Sequence, residues 1–215
     1  MHRLPTLLSG IFLVFLTSWI GLVAYPALQL SRLAPVTDAD AGTTFPPLYG
    51  GRAVAGELVY ASEGCVSCHS QQVRQTSVTR SDIARGWGVR PSVARDYLRD
   101  STAFLGSLRI GQDLANVGQR RPEAMWHYRH LYHPGTLSEG SIMPSYSHLF
   151  EMRKIEGQRS AEALDLTGED APKPGYEVVP TTDAKNLVAY LLSLRHDYPL
   201  PEAGSVKNSP ATPAP

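Results

Sequence analysis

The sequence predicts a mainly helical protein with one membrane-spanning helix at its amino terminus. Two observations support this fold class. Leu4 to Ser31 is an unbroken run of 28 residues without a charge or a histidine, and the apolar residues of several later segments recur at helical spacing. No alternation of apolar and polar residues is long enough to indicate a sheet. With 215 residues, the chain is long enough for one domain plus appendages.

The uncharged run is long enough to cross a membrane. As a helix it would reach roughly 40 Å, against ~30 Å for the hydrocarbon core of a bilayer. A signal peptide is the alternative, but its apolar region would be only about 7–15 residues long, and Ala24–Ala27 is a poor cleavage site. We therefore expect residues 1–32 to be an uncleaved anchor. The flanking charges weakly predict a cytoplasmic amino terminus.

The remaining chain divides into three regions by composition. Residues 33–51 are rich in proline, glycine and threonine and predict a linker, residues 52–198 form the domain, and the proline-rich residues 199–215 predict a disordered tail. Within the domain, spacing and capping signals predict these helices: 52–64, 92–99, 122–131, the first half of 151–177, and one that begins at Thr181 or Thr182 and carries Leu187, Leu191 and Leu194. Loops are expected over residues 106–118 and 140–146.

The five residues Cys65-Val66-Ser67-Cys68-His69 are the most informative motif. The pattern Cys-x-x-Cys-His is the attachment signature of a covalent c-type haem, and the chain has no other cysteine. Each thiol can bond one vinyl group of the same porphyrin, and the imidazole of His69 can bind the iron. The motif therefore predicts one covalently bound haem c in an electron carrier, with no catalytic centre of its own.

Two other interpretations of the cysteine pair are weaker. A zinc site would need two more ligands at similar spacing, but there is no second cysteine pair and the nearest histidine group, His127, His130 and His133, lies far along the chain. A thioredoxin-like pair should open a helix after a strand in a βαβ unit, and no such unit is evident.

A six-coordinate electron-transfer haem needs a second ligand, usually methionine or histidine. Met143 lies in a predicted loop, directly before a proline, and far enough from His69 to fold over the opposite haem face. Met1 belongs to the anchor, Met125 to a helix and Met152 to an acidic segment. From the pattern alone, Met143 and the histidine alternatives remain open; these are His127, His130, His133 and His148.

The net charge and its distribution along the chain indicate which partners the protein can bind. The formal net charge is zero, which argues against nucleic acid as a partner. Between Gln71 and His130, however, ten arginines face five acidic residues. Because haem carries two propionates, cations beside the haem motif make electrostatic sense, and Arg74 and Arg109 are the candidate propionate contacts.

Several segments resemble one family. In chain order they are Gly64–Gln71 with Arg74, Gly106–Leu114, Val117-Gly118, Trp126-His127, His130-Leu131 and Ser141–Tyr146. Together they resemble the mono-haem, membrane-anchored subunit of the cbb-type cytochrome c oxidases, which are C-family haem–copper oxidases. The resemblance covers roughly residues 51–150 and the anchor.

The resemblance implies a class I-like cytochrome c domain with Met143 as the distal iron ligand. Gly56 and Tyr60 resemble the glycine and aromatic residue of the first helix in that fold, and Tyr190 on the last helix is expected to pack there. It further implies a bacterial cytoplasmic membrane protein with its haem on the periplasmic side. Electrons would pass from another cytochrome c to the haem–copper catalytic subunit that reduces dioxygen.

The chain also departs from the family pattern. Gln112 stands where the family has the proline whose carbonyl accepts the proton of the ligand imidazole, and Gln75-Thr76 replace apolar residues. Two alternatives remain: the mono-haem subunit of a nitric-oxide reductase, and a free membrane-tethered cytochrome c shuttle. A copper-binding oxidase subunit is disfavoured because its paired-copper site needs another cysteine spacing.

Overall fold

The computed structural model describes residues 3–38, 42–75 and 81–203. Its α-helices are α1 Arg3–Trp19, α2 Tyr25–Leu30, α3 Gly51–Ser62, α4 Val117–Arg120, α5 Ala124–Tyr132, α6 Pro134–Leu137 and α7 Thr182–Ser193. Its strands are β1 Val36–Asp38, β2 Thr43–Phe45, β3 Phe150–Lys154 and β4 Tyr176–Pro180. Short 3₁₀ turns lie at Cys65–Ser67, Ala94–Tyr97, Ser147–Leu149, Gly168–Asp170 and Pro201–Ala203. The described chain is mainly helical, as predicted.

The amino-terminal helices are continuous. A π-helical turn, Ile20–Ala24, joins α1 to α2, so that one helix runs over Arg3–Leu30. The wide turn precedes Pro26, which lacks the N–H that an α-helix would use there. Among the described residues this is the one helix long and apolar enough to cross a membrane, and none of its residues is buried. It agrees with the predicted anchor.

The domain is built on the crossing of α3 and α7. Gly56 lies against the backbone of α7, where a Cβ atom would come within 1.9 Å of the Asn186 carbonyl oxygen. Tyr60 and Tyr190 are fully buried at this crossing, with ring centroids 5.4 Å apart. The close crossing of the first and last helices of the domain, expected from Gly56, Tyr60 and Tyr190, is confirmed.

The last helix begins and packs as its sequence predicts. Thr181 precedes α7 as its N-cap, and its hydroxyl oxygen accepts a hydrogen bond from the Ala184 N–H. The apolar stripe of Leu187, Leu191 and Leu194 is buried in the core. The short helix expected over 92–99 is a 3₁₀ turn, Ala94–Tyr97.

The absence of strands was a wrong prediction. Two antiparallel hairpins form, β1 with β2 and β3 with β4, and β3 replaces the helix expected in the first half of 151–177. In β3 only Phe150 is buried, while β4 buries four successive residues. The sequence of β3 alternates over only four residues, Phe150–Arg153, and that of β4 does not alternate, so the pattern is too short to indicate a sheet.

The predicted linker is packed against the domain. The β1–β2 hairpin lies within it, and Phe45 stacks on Tyr198 with ring centroids 4.7 Å apart. The Arg95 guanidinium also donates a hydrogen bond to the Ala34 carbonyl. The segment between anchor and domain is therefore structured where described. The domain boundaries remain predictions, and the tail beyond residue 203 lies outside the described residues.

One carboxyl near the α3–α7 crossing should make stability depend on pH. Burial raises the pKa of Asp100 to about 6. The negative charge of Glu57 adds to this effect, and a hydrogen bond from Tyr49 opposes it. The raised pKa exceeds the unfolded value of about 3.9. The native state therefore binds more protons between pH 4 and 6, so this group's contribution to stability falls as pH rises through that window.

We expect Asp100→Asn to stabilise the protein by about 1 kcal/mol at pH 8 and by almost nothing at pH 4, after allowance for partial solvent screening. Urea unfolding of the detergent-solubilised chain at both pH values measures the difference. Asp165→Asn is the control, because Asp165 is exposed and pairs with the exposed Arg159. An equal effect of Asp100→Asn at both pH values would contradict this account.

Candidate haem site

The two cysteines and His69 share one turn of backbone. Gly64 has a φ of 69°, which favours glycine and turns the chain after α3. The backbone N–H groups of Cys68 and His69 then both donate to the Cys65 carbonyl, at 3.1 and 3.0 Å. The two cysteines do not form a disulfide with each other. This turn holds the two thiols and the imidazole close together along the chain, as a single porphyrin would require.

The imidazole of His69 is oriented by one hydrogen bond. Its Nδ1 lies 2.7 Å from the Gln112 carbonyl oxygen. Since a carbonyl only accepts, Nδ1 carries the proton and Nε2 has the free lone pair. Burial lowers the pKa of His69, although the Gln112 carbonyl and Asp113 oppose this effect. The ring is therefore neutral at neutral pH, the form in which an imidazole binds a metal.

Two glycines bring the loop 106–114 against the haem motif. At Gly111 a Cβ atom would lie 2.2 Å from Cε1 of His69, so any side chain there would collide with the imidazole. Gly106 has a φ of 69°, and a Cβ atom there would lie 2.7 Å from the His69 carbonyl oxygen. The loop thus forms one wall of the pocket that holds the His69 ring.

Asp113 fixes this loop to the residues after His69. Its buried carboxylate accepts hydrogen bonds from the Ser70 hydroxyl at 2.6 Å, the Gln72 N–H at 2.8 Å and the Ala115 N–H at 2.9 Å. The Leu114 N–H donates to the Ser70 carbonyl at 2.7 Å. The position of the Gln112 carbonyl therefore depends on a network of buried bonds, in which a carboxylate with several donors is well satisfied.

The two arginines proposed from charge lie in the same network. The Arg109 guanidinium contacts Asp82 at 2.5 Å, the Gln72 carbonyl at 2.5 Å and Asp113 at 3.5 Å. Arg74 donates to the Gly106 carbonyl at 2.9 Å and to the Gln72 side chain at 3.1 Å. Both arginines thus brace the loop and the haem motif. Their predicted contacts with haem propionates remain predictions.

Met143 lies in a loop that returns to the haem motif. The Tyr146 N–H donates to the Leu131 carbonyl at 2.8 Å, which fixes this loop to the end of α5. The Tyr146 hydroxyl interacts with the Cys65 thiol, whose pKa is raised to about 11 chiefly by burial. Met143, Tyr146 and Cys65 are half-buried and all pack against the same core cluster. The loop 140–146 and the haem motif therefore meet at one edge of the core.

The other methionines have different surroundings. Met125 packs against the core from α5, and Met152 is 57 % exposed on β3. Met1 lies outside the described residues. Of the three methionines that the structure describes, Met143 alone lies in the loop whose Tyr146 contacts Cys65.

Three of the four alternative histidines bond protein oxygen atoms. A ring nitrogen of His127 lies 2.8 Å from the Arg121 carbonyl oxygen, His133 lies 2.7 Å from Asp170, and His148 lies 3.0 Å from Glu63. His130 instead stacks on Trp126, with ring centroids 4.7 Å apart. Burial and the neighbouring His127 and His69 lower the pKa of His130 to about 4.

Two buried polar atoms give a further ground for a bound haem. Nδ1 of His130 and Nε of Arg120 are buried and have no hydrogen-bond partner among the described residues. Buried polar atoms without partners are uncommon, and both side chains interact electrostatically with His69. A bound anionic group beside His69, such as a haem propionate, would supply the missing partners. The part of the chain described here contains no cluster of three or more His, Cys, Asp or Glu side chains suited to a bare metal ion.

Sequence reasoning missed Asp82, Asp113 and Arg120 as parts of this site. Asp113 follows Gln112 in the segment that resembles the family, and this position was the available signal. Asp82 and Arg120 carry no motif of their own. Their bonds to Arg74 and to Asp113 become evident only in the folded loop, which Asp113 joins to Ser70 across 43 residues of chain.

These features define a class: a small helical cytochrome c-type domain carried on one membrane anchor. The family model described as Cytochrome C oxidase, mono-heme subunit/FixO matches residues 47–172. Because this match covers more than half of the chain, the protein belongs to that family. It is accordingly a mono-haem subunit of a cytochrome c oxidase complex and associates with other oxidase subunits. No curated protein matches the chain.

Proposed function

We propose that this protein is the membrane-anchored c-type cytochrome subunit of a cbb-type terminal oxidase. In this role it passes electrons from another cytochrome c to the haem–copper subunit that reduces dioxygen. The observation that carries the proposal is the geometry of His69. Its Nδ1 bonds the Gln112 carbonyl at 2.7 Å, its ring packs against Gly111, and it directly follows the only two cysteines. Nε2 is the nitrogen left for iron.

Each residue of the site has a defined role in this proposal. Cys65 and Cys68 hold the haem covalently, His69 is the proximal ligand and Met143 the distal ligand. A bound haem supplies a one-electron iron couple, and methionine ligation raises its reduction potential. Arg74 and Arg109 retain the role of propionate contacts through the N–H groups that the loop does not use. The protein itself breaks and forms no bonds of a substrate.

The anchor supports a location at a membrane surface. We infer that the haem domain faces the outer, periplasmic side of a bacterial cytoplasmic membrane, since c-type haem is normally attached there. An anchored domain is held close to its acceptor, so electron transfer becomes effectively intramolecular. The packing of Phe45 on Tyr198 holds part of the connection against the domain, which favours a fixed subunit over a free shuttle.

The alternative functions are separated by one purification. The anchored chain, extracted in mild detergent, should co-purify with a polytopic subunit and with oxygen consumption driven by reduced cytochrome c. The Cys65→Ala, Cys68→Ala double variant is the control, and its complex should lose most of that activity. Co-purification with nitric-oxide reductase activity would overturn the proposal in favour of that enzyme. Purification of the chain alone would favour the shuttle.

A further inference from the structure

The carbonyl that orients His69 belongs to a residue whose φ is not fixed by a ring. A proline at position 112 would lock its own φ near −65° and so help to fix the carbonyl. Gln112 is exposed and has no such restriction. Nevertheless its carbonyl lies 2.7 Å from Nδ1 of His69. Backbone bonds hold the residues on either side, since the Gly111 N–H donates to the Cys68 carbonyl at 3.0 Å and the Leu114 N–H to the Ser70 carbonyl at 2.7 Å. A further contact acts on Gln112 itself.

Arg120 makes that contact. One terminal nitrogen of its guanidinium donates to the Gln112 side-chain oxygen at 2.7 Å. The other donates to the backbone carbonyl of Asp113. A single planar cation thus bridges two successive residues of the loop, through charge-assisted bonds of the stronger kind. The first of these bonds requires the glutamine side chain.

The short helix that carries Arg120 is held against the end of α7. Arg120 is the last residue of α4, and α4 is fixed on α7. The Gly118 N–H donates to the Leu194 carbonyl at 3.1 Å, and a Cβ atom at Gly118 would lie 2.2 Å from the Leu192 carbonyl oxygen. The Arg120 guanidinium therefore connects the loop to the α7 core.

We propose that Arg120 and the Gln112 side chain together help to position the carbonyl that binds the His69 Nδ1 proton, as the fixed φ of a proline would at this position. Arg120 is in this sense a positioning residue, which acts on the iron ligand through Gln112. The inference rests on the proposed function, because it gives His69 the role of proximal ligand. It also gives the Gln112 side chain a role in a loop whose backbone is bonded to Cys68 on one side and to Ser70 on the other.

Exchange of the His69 Nδ1 proton with solvent tests this inference. It can be followed by NMR of the ferrous, full-length chain in detergent, labelled with ¹⁵N at histidine. We expect Arg120→Met to accelerate the exchange about tenfold or more, because opening of the loop becomes easier. Arg121→Met is the matched control. It removes the same charge from the next residue, whose guanidinium lies over the Trp126 ring, and should leave the rate nearly unchanged.

The decisive comparison is a double-variant cycle. In the Gln112→Pro background, Arg120→Met should accelerate the exchange less than about threefold, because proline then restricts the loop. Equal acceleration in both backgrounds, or none in either, would overturn the inference. Should Arg120→Met fail to fold, Gln112→Leu removes the same side-chain bond from the exposed end. It should produce a similar acceleration, and an unchanged rate would overturn the inference.

The same spectra separate this inference from the proposed function. A wild-type His69 signal without the shift that a bound haem ring imposes would overturn the ligand assignment, and this inference with it. A haem-shifted His69 signal whose exchange does not respond to Arg120→Met would overturn the role of Arg120 alone.

Discussion

Met143→Leu is expected to abolish the near-infrared absorption band of ferric iron bound to methionine sulfur and to lower the midpoint potential of the haem. Leucine keeps nearly the same volume at this half-buried position but offers no sulfur to the iron. A thioether favours the ferrous state, and axial ligands tune haem potentials over about 0.8 V. The effect should therefore be large and should leave the fold intact. Optical spectroscopy during a redox titration of the purified chain measures both quantities.

Met152→Leu is the control for that experiment. Met152 is exposed on β3, so its replacement should change neither the near-infrared band nor the potential. An unchanged band in Met143→Leu would show that another side chain is the distal ligand. His130 would then be the first alternative to examine, because its Nδ1 has no protein partner among the described residues.

Gly56→Ala should cause a large loss of stability. A methyl group at Gly56 would lie 1.9 Å from the Asn186 carbonyl oxygen and 2.8 Å from Cβ of Tyr190. Both atoms belong to α7, and the first is backbone, so α3 and α7 would have to move apart. Overpacking of this kind typically costs about 1–3 kcal/mol and sometimes more, and we expect about 3 kcal/mol here. Urea unfolding followed by tryptophan fluorescence or circular dichroism measures it.

Gly51→Ala provides the matched control. Gly51 begins the same helix, and a Cβ atom there would meet nothing within 4 Å. The change should alter the free energy of unfolding by less than about 0.5 kcal/mol, or stabilise the helix slightly. A loss as large as that in Gly56→Ala would show that the effect comes from glycine replacement in general and not from the helix crossing.

The sequence predicted those parts of the fold that depend on local patterns. The uncharged run, the Thr181 cap and the pair Gly56 and Tyr60 each depend on residues within one segment, and the structure agrees with all three. The β3–β4 hairpin was missed because its strands are short: the alternation in β3 covers only four residues, and β4 does not alternate. The docking of Phe45 on Tyr198 was missed because it joins residues 153 positions apart, beyond the reach of periodicity.

The residues of the candidate site likewise divide into those that a local motif predicts and those that only the fold brings together. The motif predicts haem attachment at Cys65, Cys68 and His69 because their chemistry depends on their spacing. The bond from His69 to the Gln112 carbonyl was in doubt from the sequence, since glutamine leaves the backbone free, and the structure shows that it forms. Arg120 could not be found from the sequence, because its importance follows from a contact across eight residues that only the folded loop creates.

The most direct test of the account is the mass of the chain after it is purified from cells that attach haem c and is then fully denatured. The account predicts the mass of the polypeptide plus one haem, and the mass of the polypeptide alone for the Cys65→Ala, Cys68→Ala double variant. A denatured wild-type chain without haem, or a double variant that keeps its haem, would contradict covalent attachment at this motif.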